Sequence, residues 1–185
     1  MSKNVVIFHG TNGSPDVCWY QWLGAALRGK GYEVEIPYYP TINKELIVDF
    51  LPRVLKAHIF TPDTVLVGHS GGGALLLSIL EHLDIQIAQA VLVAGYATKP
   101  NVSDEPVLQD MYDWQKIRAH VKDIYFINSV TDPYGCDAEQ GRYMFDKLGG
   151  TQIIRNDGHF GDYDQPYPTF ELLNRLIPPA RNPIL

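Results

Sequence analysis

Three side chains that could together perform acyl transfer stand far apart in the chain, each just after an apolar run. Ser70 lies in Gly68-His69-Ser70-Gly71-Gly72, after the apolar run 65–67 and directly before an Ala/Leu-rich segment. That order reads as strand, tight turn and helix, with the serine at the apex of the turn. Glycines flanking such a turn let its backbone pass close to neighbouring elements where a Cβ would clash. The helix N-terminus beside the serine offers free N–H groups to developing negative charge. Asp132 follows the run 124–127, in Asn128-Ser129-Val130-Thr131-Asp132-Pro133, and His159 follows 152–154, in Asp157-Gly158-His159-Phe160-Gly161. Alone, an Asp before Pro is a common loop residue, and a histidine among glycines is ordinary surface. Together, and in the order Ser, Asp, His, they supply a nucleophile, an orienting acid and a general base.

Other chemistry fits these residues less well. A phosphate-binding loop needs Gly-Lys-Ser/Thr at its end, whereas Gly73 is followed by Ala74 and Leu75. A dinucleotide fingerprint beginning at Gly71-x-Gly73 meets Leu76 where a third glycine belongs. His9, His69 and His159 have no ligand pair at short spacing, so no metal site is expected. Asp157, Asp162 and Asp164 are rival acids, but they share the histidine's own loop. An acid that orients the imidazole comes more naturally from a neighbouring strand end. His58, His82 and His120 fall at expected helix ends, where a cation meets the negative end of the dipole.

The elements that must position these residues alternate. Strands are expected at 5–8, 33–36, 65–67, 90–94, 124–127 and 152–154. Helices are expected at 17–27, 44–57, after Gly72, and at 114–120, 137–148 and 169–177. Pro52 should kink the second helix or mark its true start. Strands apolar throughout and separated by helices imply a mainly parallel six-stranded sheet covered on both faces, a three-layer α/β/α arrangement. Active sites in such sheets lie at the carboxyl ends of the strands, where Ser70, Asp132 and His159 all fall.

The first loop, His9-Gly10-Thr11-Asn12-Gly13, follows the first strand. A second oxyanion donor is expected there, the N–H of Thr11, paired with the N–H of Gly71. Trp22 reads as core, while Trp19 and Tyr20 are candidates for the rim of an aromatic-lined pocket. Residues 96–113 form the one long stretch without periodicity. Eighteen residues make a flap but no cap domain, and Tyr96 and Tyr112 could close over a small pocket.

The chain has 185 residues, a net charge of −6, 45% hydrophobic and 19% charged residues, and no internal repeat. One domain over 1–185 is expected, burying roughly 70% of its unfolded surface. The negative charge argues against nucleic acid as a partner. No apolar run approaches the ~20 residues needed to span a membrane, and the short N-terminal apolar run is no signal peptide. Two cysteines, Cys18 and Cys136, suggest neither a disulfide scaffold nor a metal site and fit a reducing cytoplasm.

His9-Gly10, Cys18-Trp19-Tyr20-Gln21-Trp22, Gly68-His69-Ser70-Gly71-Gly72, Thr131-Asp132-Pro133 and Gly158-His159-Phe160 occur in that order over nearly the whole chain. In this the chain resembles the small serine hydrolases related to retinoblastoma-binding protein 9. The resemblance implies a compact α/β-hydrolase fold lacking the first two strands, with its triad on Ser70, Asp132 and His159. It does not carry over the binding partner in that family's name, because neither cysteine is followed by x-Glu. The expectation is hydrolysis of a small acyl substrate, ester or amide, without cofactor or metal. The alternatives are a non-catalytic binding module on the same fold and a nucleotide-binding turn.

Overall fold

The computed structural model describes residues 3–101, 104–162 and 164–180. Its strands are β1 (Asn4–Phe8), β2 (Glu33–Glu35), β3 (Val65–His69), β4 (Ile87–Val93), β5 (Val121–Ser129) and β6 (Thr151–Arg155). Its helices are α1 (Tyr20–Gly29), α2 (Ile47–Ala57), α3 (Gly71–His82), α4 (Trp114–Ala119), α5 (Ala138–Leu148) and α6 (Glu171–Leu176). The strands form one sheet in the order β2-β1-β3-β4-β5-β6, and every pairing is parallel. Helices α1 and α6 pack together, and α2, α3, α4 and α5 pack in succession. These two helical layers enclose the sheet, as the uniformly apolar strands require.

The interior strands β1 and β3 are buried at every residue, whereas the edge strands β2 and β6 are short and mostly exposed. Glu33 and Glu35 on β2 discourage pairing with another chain. Helix α3 is buried from Gly71 to Leu80, an apolar-all-round helix that fits only an interior position. Among the described residues no helix is long and apolar enough to cross a membrane.

Pro52 lies inside α2, five residues after its start at Ile47, so it does not begin the helix. The proline lacks an N–H for the carbonyl of Val48, but Pro52 and Val48 are both exposed and water can serve that carbonyl. Helix α1 begins at Tyr20 rather than at residue 17, because Cys18 has φ +54° and cannot extend it backward.

The strand order reverses between β1 and β3, and the turns leaving both strands open on the same edge of the sheet. There Ser70 adopts φ +55°, ψ −121°, and its N–H donates to the Val93 carbonyl at 2.8 Å. This sparsely populated conformation costs about 1–3 kcal/mol and persists because its surroundings dictate it. A Cβ on Gly68 would stand 2.4 Å from the Gly72 carbonyl oxygen. One on Gly72 would stand 2.5 Å and 2.6 Å from the carbonyl oxygens of Phe8 and His9. Helix α3 thus starts in backbone contact with β1.

Because the obstructing atoms are backbone, Gly72→Ala should destabilise the protein by about 3 kcal/mol, as an overpacked core does. Gly29→Ala, at an open position near the end of α1, should be neutral or stabilise by up to about 1 kcal/mol. Urea denaturation of both variants compares them, and equal midpoints would refute the close-packed turn.

Candidate active site

The loop after β5 and the loop after β6 meet through one hydrogen bond. His159 Nδ1–H donates to Asp132 Oδ2 at 2.7 Å, and the Asp132 side chain is fully buried. Asp132 Oδ1 accepts the N–H of Tyr134 at 2.9 Å and that of Cys136 at 3.4 Å. These bonds hold the carboxylate in its own turn. With Nδ1 donating, Nε2 of His159 carries the lone pair that can accept a proton. The ring of Tyr134 packs edge-on against His159 at 4.6 Å.

A second strut joins the same loop to the turn at Ser70, the elbow between β3 and α3. His69 Nε2–H donates to the His159 carbonyl at 2.7 Å, and the Tyr20 hydroxyl donates to His69 Nδ1 at 2.6 Å. Tyr20 Oη in turn accepts the Gly10 N–H at 3.4 Å. Burial, with the His159 ring alongside, pushes the pKa of His69 down to about 3. A neutral imidazole has one donor and one acceptor, as this chain of bonds requires. Trp19 Nε1–H donates to the Phe160 carbonyl at 3.0 Å, fixing the next residue of the loop. In the first loop His9 donates from Nδ1 to the Gly10 carbonyl at 2.8 Å and accepts the Tyr39 N–H on Nε2 at 3.0 Å. Burial lowers the pKa of His9 too.

Thr11 and Gly71 face one another. A Cβ on Gly71 would stand 3.5 Å from Thr11 N, and one on Gly10 would stand 3.1 Å from Ser70 Cβ. Among the described residues neither the Thr11 nor the Gly71 N–H donates to a protein acceptor. Both are therefore available to an oxygen held beside Ser70.

Ser70, His159 and Thr11 line one cleft of about 730 Å³, a volume suited to a small organic ligand. Two of the four aromatic pocket candidates line it, Tyr20 and Tyr96. Trp19 does not: it is fully buried, wedged against Tyr20 and Phe170 with its N–H spent on Phe160. Tyr112 does not either, because its ring packs at a tilt against Trp114 at 5.2 Å and its hydroxyl accepts the Gln109 N–H. Trp22 is half-buried at the margin of the core.

The described part of 96–113 contains no helix or strand. It is stitched down by Gln109, which donates to Ser78 Oγ and Glu81, and by the Asp113 N–H on Glu81. Asn43, Glu105, Tyr134 and Cys136 also line the cleft. Asn43 carried no signal beyond being an Asn in a turn. Burial pushes the thiol pKa of Cys136 well up, so it stays neutral. Among the described residues Asp132, Cys136 and His159 have donor atoms within 4.8 Å of one another. His159 Nδ1 is already bonded to Asp132 and the thiol resists ionisation, so this trio suits an acid–base pair better than a metal ion.

A family profile described as "Serine hydrolase" matches residues 5–176. The putative hydrolase YdeN of Bacillus subtilis (strain 168) is 33% identical over 169 residues, covering 86% of this chain and 87% of that protein. The crystal structure of the ydeN gene product from B. subtilis superposes with a TM-score of 0.84 at 23% identity, covering 95% of this chain and 96% of that one. Est1E from Butyrivibrio proteoclasticus with ferulic acid bound gives 0.65 at 14% identity, over 94% and 85% of the two chains. A monoacylglycerol lipase of Paleococcus ferrophilus gives 0.67 at 14%, over 95% and 93%. The last two likenesses show the α/β-hydrolase fold.

The neutral His69 has a thermodynamic consequence. Its unfolded pKa is near 6.5 and its folded pKa about 3, so the unfolded chain binds more protons between those values. The stability this group contributes is complete above pH 6.5 and is lost as pH falls towards 3. The slope reaches about 1.4 kcal/mol per pH unit within that window, and His9 adds in the same direction. His69→Gln should therefore be less stable at pH 7 yet lose less stability between pH 7 and pH 5 in urea titrations. An unchanged pH slope would mean that His69 does not titrate in this way.

Proposed function

This chain belongs to the serine hydrolase family, and we propose that it cleaves a small acyl substrate, a carboxylic ester or amide, through Ser70, His159 and Asp132. The observation that carries this reading is the His159–Asp132 hydrogen bond of 2.7 Å in the same cleft as a serine held at positive φ. In the proposed cycle Ser70 Oγ attacks the carbonyl carbon as His159 Nε2 takes its proton. The N–H groups of Thr11 and Gly71 receive the oxyanion. His159 then protonates the leaving group, and water repeats the sequence to release the acid and free Ser70. Asp132 holds the imidazole tautomer and stabilises the imidazolium. The cycle calls for no cofactor. The ordered motifs quoted above favour a place near the relatives of retinoblastoma-binding protein 9, with 1–185 as a single hydrolase domain. The two free cysteines fit a reducing cytoplasm.

Size and charge narrow the substrate. The flap held against α3 leaves no cap domain to shelter a long acyl chain. Glu105 and Asp162 line the cleft, and among the described residues no Lys or Arg does so. A carboxylate on the acyl group would meet these charges at a cost of about 1 kcal/mol or more.

Ser70→Ala should abolish fluorophosphonate labelling and lower turnover by up to about a millionfold with the fold intact. Asp132→Asn should cost about 10⁴ in kcat, and Asp157→Asn far less. A Ser70→Ala protein that still labels, or an Asp157→Asn protein worse than Asp132→Asn, would overturn these assignments.

Among p-nitrophenyl esters, acetate and butyrate should be the better substrates. The hemisuccinate should fall about tenfold below butyrate in kcat/KM, and no rate jump should accompany micelle formation. Rates climbing steeply beyond about ten acyl carbons would reveal a lipid-sized pocket instead.

A further inference from the structure

We propose that the Thr11 hydroxyl is a third oxyanion donor, and that Asn43 is the positioning residue that aims it. The proposal rests on the serine hydrolase reading given above.

Thr11 Oγ1 lies 3.1 Å from Asn43 Nδ2. An amide nitrogen only donates, so the threonine oxygen is the acceptor in that bond. Its own proton then has no protein acceptor among the described residues. The oxygen stands 2.6 Å from where a Cβ on Gly71 would lie, beside the two backbone donors already assigned, and Thr11 lines the cleft with Ser70. A hydroxyl that accepts from one side and has its proton uncommitted on the other is a donor waiting for an oxygen.

The orientation of the Asn43 amide follows from its partners. Its Oδ1 accepts the N–H of Val107 at 3.1 Å, which places Nδ2 on the opposite side. There one Nδ2 hydrogen meets the Glu105 carboxylate at 2.5 Å and the other is left for Thr11, with Tyr96 Oη further off at 3.3 Å. The Tyr96 hydroxyl gives its own proton to Glu105, so towards Nδ2 its oxygen acts only as the more distant acceptor. Asn43 is 9% exposed and sits at φ +57°, a conformation asparagine tolerates better than most residues. Glu105 thus holds Asn43, Asn43 fixes the lone pair of Thr11, and the threonine proton faces the cleft. The interaction gains strength as the carbonyl oxygen becomes an oxyanion, so it acts on kcat rather than on ground-state binding.

The test is a series at positions 11 and 43, assayed with p-nitrophenyl butyrate and with a phenylboronic acid as a tetrahedral, anionic mimic. Thr11→Val should lower kcat by about 10²-fold with KM within twofold. It should weaken boronic acid inhibition by a similar factor. Thr11→Ser, which restores the hydroxyl, should recover most of both losses. Asn43→Asp, which offers the threonine proton a carboxylate to bond instead, should lower kcat as Thr11→Val does. In a double-mutant cycle Thr11→Val should add little to Asn43→Asp. Thermal unfolding of each variant separates these effects from misfolding. If Thr11→Val keeps wild-type kcat, or if Thr11→Ser behaves like Thr11→Val, the hydroxyl is not a donor and the proposal fails. In that event wild-type protein still labels with fluorophosphonate at Ser70 and the hydrolase reading stands. A wild-type protein that neither labels nor hydrolyses overturns both.

Discussion

Where α3 leaves the sheet, its backbone lies against the carbonyls of Phe8 and His9 with no room for a Cβ at Gly72. That contact governs the rest of the site. It requires glycine at Gly68 and Gly72, forces Ser70 into φ +55°, and brings the loop after β1 beside the helix N-terminus. The two proposed backbone donors, from Thr11 and Gly71, face each other because these two turns cannot stand apart. The strain at Ser70 is held by the Val93 carbonyl and by a helix buried over most of its length. A serine in a softer turn would relax out of this strained conformation.

Apolar packing forms the sheet and its layers, but hydrogen bonds between loops set the geometry of the cleft. Tyr20, His69 and the His159 carbonyl make a buried chain that ties the first loop, the elbow and the histidine loop together. Packing alone tolerates small slides of one loop over another. A hydrogen bond of 2.6–2.7 Å does not, because its energy falls steeply with distance and angle. The cost is a histidine that must stay neutral in the interior, and hence a fold sensitive to acid.

The opposite wall of the cleft is built in the same way from less expected residues. Glu105, Asn43 and Tyr96 join the segment after β4 to the loop after β2. A flap of this kind has no core of its own and is held by polar stitches and by the burial of Val107. It leaves the cleft small and gives it a negative edge.

The layered parallel sheet, the turn at Ser70 and the order of Ser70, Asp132 and His159 were all legible in the sequence. Each is encoded locally, by apolar runs bounded by turns and by glycines at a fixed spacing. Strand and helix identities followed from periodicity, whereas the ends of α1 and α2 did not. A positive φ at Cys18 delays the first helix, and solvent at the Val48 carbonyl lets Pro52 sit within the second. Side-chain direction was not legible either. Trp19 and Tyr20 are neighbours with similar composition signals, yet one is wedged into the core and the other reaches the cleft. Tyr96 and Tyr112 divide in the same way. Asn43 gave no sign of its place, since its partners lie 32 to 64 residues away in the chain. Local pattern determines which elements form. Which side of an element meets a particular loop is decided only when distant segments close on one another, because the energy of that choice lies in contacts the sequence does not order.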